Sequence, residues 1–125
     1  MNPDVKAVVE YRLKQAHETL AAARDLEKDA HLRDAANRAY YSMFYAGAGL
    51  LASRLLGTNR HSGLLNLFGE YFVKTGEFSV QAARYLREAF EFRQNADYKL
   101  FVEPTPEQVR DLVSHAEAFL DEARR

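Results

Sequence analysis

An all-helical single domain is the fold class the sequence predicts, and three observations lead there. Apolar residues recur at helical spacing through several long segments. No stretch alternates apolar and polar residues over a useful strand length, and no internal repeat is present. The 6 glycines and 3 prolines cluster between the periodic segments, where they act as breaks. A chain of 125 residues is long enough to bury one core, so residues 1–125 are expected to form one domain.

The first helix is expected from about Pro3 to about Lys28. Asn2 suits the cap and Pro3 the first turn, while Val5, Val9, Leu13, Ala16, Leu20 and Ala23 form one apolar stripe. The second, roughly Leu32 to Leu56, is apolar on two sides. Ala36, Tyr40, Met43, Phe44, Gly47, Leu50 and Leu51 make its main face; Tyr41, Tyr45, Ala48 and Ala52 make a second. Gly47 and Gly49 cost helix propensity, which close approach of another backbone normally offsets. So few helices leave one face uncovered in a single copy, and a homodimer is the expected remedy. After GTNRHSG a shorter helix runs through LLNLFGEYFVKTG, with Lys74 in its last turn and Gly76 just beyond. Ser79 can cap a fourth helix, SVQAARYLREAFEFRQNADY. Thr105, Pro106 and Gln108 supply the cap, first-turn proline and capping-box partner of a fifth. Its inward residues are Val109, Leu112, Val113, Ala116, Phe119 and Leu120.

On the fourth helix Ala82, Ala83, Leu86, Ala89 and Phe90 share one face, and Arg84, Arg87, Glu88, Glu91 and Asn95 lie opposite. Arg93 and Asp97 fall within the apolar face, one turn apart, where unpaired charge is costly. Two readings stand. In the structural one, Arg93 bridges Asp97 and helix-end carbonyls while Tyr98 fills the corner. In the functional one, Arg93 faces a cleft and binds phosphate, which its planar fork suits. Asn37, Arg38 and Tyr41 on the second helix are candidate companions, with Arg38 placed near Ser42 and Tyr45 on a groove side. His61 is a candidate for acid–base chemistry or for ligand binding, although loop histidines are commonly inert.

Composition removes several function classes. With 47% hydrophobic and 28% charged residues the chain reads as folded and soluble, and a net charge of -1 gives no global field for nonspecific nucleic-acid binding. No cysteine is present, which excludes thiol chemistry, disulfides and cysteine-ligated metals. His17, His31, His61 and His115 have no metal-ligand spacing, no phosphate-cradling glycine loop occurs, and no cofactor is implied. Without a signal-like start or a membrane-length apolar run, the expectation is a cytoplasmic protein with no membrane partner.

NRAYYSMFYAGAGLL, HSGLLNLFGEYFVKTGEF, LREAFEFRQNADY and the late AEAFLDEA, in that order, resemble the HEPN domain, nearest its small stand-alone prokaryotic members. The resemblance runs from about Asp34 to the C-terminus. It implies an up-and-down bundle of four to five helices that commonly dimerises. It also implies a minimal nucleotidyltransferase as partner, in some cases as a toxin–antitoxin pair. Active HEPN ribonucleases carry an arginine followed four to six residues on by a histidine, and cut RNA without metal through 2′-hydroxyl attack. Arg93 matches that arginine. The histidine is missing: Asp97 is followed by Tyr98, Lys99 and Leu100. An aspartate paired with an arginine is a poor acid at neutral pH.

The leading expectation is therefore a HEPN binding module that holds a nucleotide or RNA phosphate near Arg93. The alternatives are a diverged ribonuclease toxin, with Arg93, Asp97 and Tyr98 as catalytic candidates, and a purely structural dimer.

Overall fold

Asn2 accepts a hydrogen bond from the Asp4 amide at 2.7 Å and Pro3 is the first helical residue, so the chain enters a helix at once. This helix, α1, spans Pro3–Lys28 as its periodicity predicts. The structure, a computed structural model, describes residues 2–58, 60–98 and 103–124, without the side chains of 96–98. Within them follow α2 (Leu32–Ala52), α3 (His61–Phe68), α4 (Val80–Tyr98) and α5 (Pro106–Ala123), and no strand. α3 continues into a π-helical turn, Gly69–Val73, where the Lys74 amide reaches the Gly69 carbonyl at 3.0 Å.

Local cap chemistry sets the later helix starts. Ser79 Oγ accepts from the Ala82 amide at 3.0 Å to begin α4. Thr105 and Gln108 form both bonds of the capping box that begins α5. Glu122, near the end of α5, accepts from both the Ser79 amide and its hydroxyl, tying the two helices at one end.

Helix ends are less conventional. Ala30 after α1 has φ 61° and Leu55 after α2 has φ 59°. At each, paired back-bonds close the helix: Ala30 to Glu27 with His31 to Leu26, and Leu55 to Ala52 with Leu56 to Leu51. This is the Schellman arrangement, which glycine usually serves. The second instance ends α2 at Ala52 rather than near Leu56. Gly76, with φ 81°, does terminate the π-helical turn as its position suggests.

α2 is the centre of the bundle and touches α1, α3, α4 and α5. Its stripe of small residues, Ala35, Ala39, Ser42, Ala46 and Gly49, is buried. At Gly49 an added Cβ would lie 3.1 Å from Arg12 Cβ and 3.5 Å from the Val9 carbonyl, so glycine allows α1 its close approach. Gly47 faces Leu64 of α3 instead, at 3.3 Å from Cδ2. Within one chain the main face of α2 is largely buried, whereas Tyr41, Tyr45, Ala48 and Ala52 of the second face stay half-buried.

The core joins Tyr40, Met43 and Leu51 of α2 to Leu64, Phe68, Leu86, Val109, Phe119 and Leu120. All six inward positions expected on α5 are buried. Phe68 packs edge-on against Phe78 at 5.0 Å between centroids and tilted against Phe119 at 5.5 Å, joining α3 to α5. On α4, Ala82, Leu86 and Ala89 are buried and Ala83 and Phe90 half-buried, while Arg84, Arg87, Glu88, Glu91 and Asn95 are exposed. Arg93 lies between these extremes, half-buried on the inner side, at the edge of the aromatic surface presented by α2.

Candidate functional site

Tyr40 belongs to the apolar face of α2 and is fully buried, so its phenol needs a partner inside the protein. The partner is His61, whose Nδ1 lies 2.6 Å from the Tyr40 hydroxyl. Burial pushes the phenol far above its ordinary value, against the smaller opposing pull of the Arg93 charge, so the hydroxyl keeps its hydrogen. Among the described residues it has no second acceptor, and the hydrogen is therefore assigned to the bond with Nδ1. An accepting Nδ1 in a neutral imidazole leaves the ring's own hydrogen on Nε2.

His61 is the first residue of α3 and is half-buried in an aromatic nest. Its ring stacks on Phe44 at 4.5 Å between centroids and meets Tyr41 edge-on at 5.6 Å. Phe90 of α4 stands 6.3 Å away. Burial, and secondarily the positive charge of Arg93, holds the imidazole below its usual value, which keeps it neutral at neutral pH.

Two arginines from different helices complete the cluster. The Arg93 guanidinium carbon lies 5.2 Å from the Tyr41 ring centroid and 5.8 Å from that of Tyr40. The Arg38 carbon lies 5.0 Å from the same Tyr41 ring. These are cation–π distances, and the shared ring keeps the two charges within roughly one Debye length of each other at ~0.1 M salt. Asn37 Oδ1 accepts from Arg38 Nε at 3.2 Å and Nη2 at 2.9 Å, which fixes the fork of that guanidinium. Among the described residues no ion pair involves Arg38.

Five residues singled out by the sequence, Asn37, Arg38, Tyr41, His61 and Arg93, therefore meet in one place. The side chains of Asp97 and Tyr98 lie outside the described residues, and with them the expected Arg93–Asp97 pair. Ser42, expected beside Arg38 on a groove side, is instead fully buried and donates to the Ala39 carbonyl at 2.7 Å. Sequence reasoning assigned Tyr40 and Phe44 to the core and missed their contact with His61. A polar tip on a central apolar face was the available signal.

The cluster offers donors rather than a base: two guanidinium groups, and an imidazole whose one lone pair is engaged by a phenol. A cleft of about 510 Å³ elsewhere, lined by Leu50, Arg54, Phe72 and Glu77 among others, has a different character. There Arg54 is ion-paired with Glu77 and donates to the Tyr71 carbonyl, so it ties the turn after α2 to the π-helical turn. Among the described residues no group of three histidines and carboxylates could hold a metal. No helix among them is long and apolar enough to cross a membrane.

Comparison with known proteins gives concordant matches. The HEPN domain model matches residues 9–125. A UPF0332 protein of Thermotoga maritima is 39% identical over 91% of this chain and 86% of its own length. Two proteins of Methanocaldococcus jannaschii carry the names "Putative toxin MJ0142" and "Putative toxin MJ0605". They are 32% and 31% identical, over 96% and 100% of this chain and 82% and 92% of their own lengths.

Proposed function

We propose, from the premise that this chain belongs to the HEPN family, that it is a binding module whose Arg93 and Arg38 hold the phosphate of a nucleotide or RNA. The observation that carries this reading is the placement of both guanidinium groups on the single ring of Tyr41, at 5.2 and 5.0 Å. Two guanidinium forks beside one half-exposed ring can grip an anion from two sides. Guanidinium forks match phosphate oxygens in number and geometry. Asn37 orients one fork, and the ring of Tyr41 backs both.

The surrounding biology follows from the family. Two relatives have "toxin" in their names, which favours a toxin–antitoxin type of role. The HEPN resemblance adds a minimal nucleotidyltransferase as partner and a homodimer as the working unit, and the cytoplasm is the location expected from the sequence itself. Titrating the purified protein with AMP and with short single-stranded RNA tests the binding reading. Arg93→Ala should weaken association about tenfold or more while the fold persists. Unchanged affinity in that variant would return Arg93 to a structural role.

One observation favours a second reading, a diverged metal-independent ribonuclease. The sequence lacks the histidine expected after Arg93, yet His61 arrives from α3 in the same aromatic nest. Against it stands the phenol on Nδ1, which occupies the lone pair a base would use. RNA cleavage by wild type that Arg93→Ala abolishes would favour the enzyme; equal background in both would dismiss it.

A further inference from the structure

We propose that His61 is a third phosphate ligand of this site, acting as a neutral Nε2–H donor, and that Tyr40 is the positioning residue that fixes it in that form. The inference rests on the phosphate-binding reading and adds to it the protonation state in which the site works.

The geometry runs outward from the core. Tyr40 is fully buried, and its hydroxyl reaches Nδ1 of His61 at 2.6 Å. The two nitrogens of an imidazole diverge, so a ring with Nδ1 turned toward a buried phenol has Nε2 turned away from it. Among the described residues Nε2 makes no hydrogen bond, and the ring is half-buried rather than enclosed. Arg93 shares this corner, since its guanidinium carbon is 5.8 Å from the ring of Tyr40, on which His61 is stacked at 5.7 Å. A phosphate on Arg93 would meet the Nε2–H beside it.

The groups facing His61 explain why it serves as a donor without being charged. From α2 come Tyr40 and Tyr41, from α4 comes Arg93, and Arg60 precedes it in the chain. Phe44 and Phe90 complete the nest. Burial first, and the charge of Arg93 second, disfavour the charged ring, and the phenol's hydrogen on Nδ1 favours the neutral one. A neutral donor still bonds a phosphate oxygen, and its bond is charge-assisted by the anion. The role of this histidine is therefore recognition and orientation, with the tautomer set by a residue that never touches the ligand.

Nitrogen-15 NMR of the imidazoles in the ligand-free protein reads the tautomer directly. An unprotonated Nδ1 and protonated Nε2 at neutral pH are expected; a hydrogen on Nδ1 overturns the proposal. Calorimetry with two probes, AMP and a 5′-hydroxyl single-stranded RNA, then separates a terminal phosphate from a backbone diester as the group bound. For whichever probe binds, His61→Ala should weaken association about tenfold, while His61→Gln, which keeps a neutral donor, should recover most of it. Tyr40→Phe should release the tautomer, so that a hydrogen on Nδ1 becomes detectable by nitrogen-15 NMR, while burial and the Arg93 charge still keep the ring neutral. If Arg93→Ala loses binding but His61→Ala binds as wild type, this inference fails and the arginine site stands. If wild type binds neither probe, both fail.

Discussion

Arg93 of α4 lies over the ring of Tyr41 of α2, its guanidinium carbon 5.2 Å from the centroid. The contact depends on a planar cation, so charge alone should not replace it. Arg93→Lys is expected to lose several-fold in affinity for single-stranded RNA despite keeping its charge. Arg38→Ala should lower the slope of log affinity against log salt by roughly 0.7, one phosphate contact's worth. Titrations at three salt concentrations check both. An unchanged slope would remove Arg38 from the site.

Gly47 and Gly49 make opposite predictions although they stand two places apart on α2. Alanine would gain up to about 1 kcal/mol of helix propensity at either. At Gly49 the added Cβ meets Arg12 Cβ at 3.1 Å and the Val9 carbonyl at 3.5 Å, so α1 itself would have to move. At Gly47 it meets only Leu64 Cδ2, the end of a side chain, at 3.3 Å. Gly49→Ala should destabilise by about 1 kcal/mol or more, and Gly47→Ala should be neutral or mildly stabilising. Chemical denaturation of both variants is the check, and equal effects would contradict the α1–α2 packing described.

Leu55 holds φ 59° with 80% of its surface exposed, a conformation that costs an L-residue about 1 kcal/mol. Leu55→Gly should therefore raise stability by up to about 1 kcal/mol, less what glycine loses through greater freedom in the unfolded chain. Ala30→Gly, at φ 61°, should behave alike. Lower melting temperatures in both variants would count against left-handed ends at these two helices.

Acidification should weaken the fold through two histidines. Burial first, and then Arg93 for His61 and Arg124 for His17, hold both rings below the ordinary value of 6.5. The folded chain thus favours the neutral rings, and the unfolded chain binds protons first as pH falls. Their contribution is complete above about pH 6.5 and is lost as pH descends through the lower folded values. Melting temperature should drop on going from about pH 7.5 to about pH 5.5, and by less in His61→Gln. An equal drop in that variant would contradict a neutral, buried-side His61.

Helix starts were readable from sequence because their chemistry is local: Asn2–Pro3, Ser79 and Thr105–Gln108 each cap from within a few residues. The end of α2 was not, because Leu55 adopts a left-handed conformation that nothing in its side chain announces. The π-helical turn at Gly69–Val73 was equally silent. At the site, residue chemistry marked Arg93, Arg38, Tyr41 and His61 one by one. Their convergence depends on α3 and α4 both packing on α2, a long-range fact that periodicity does not carry. Tyr40 was read as core, which it is, and its phenol acquired meaning only once His61 stood beside it.

The central claim is that Arg93 holds phosphate, and calorimetry of wild type against Arg93→Ala with a 5′-phosphorylated single-stranded RNA tests it most directly. Binding by wild type, weakened about tenfold or more in a variant with an unchanged helical signal, is the predicted result. Equal affinity in the two proteins, or no affinity in wild type, would contradict it.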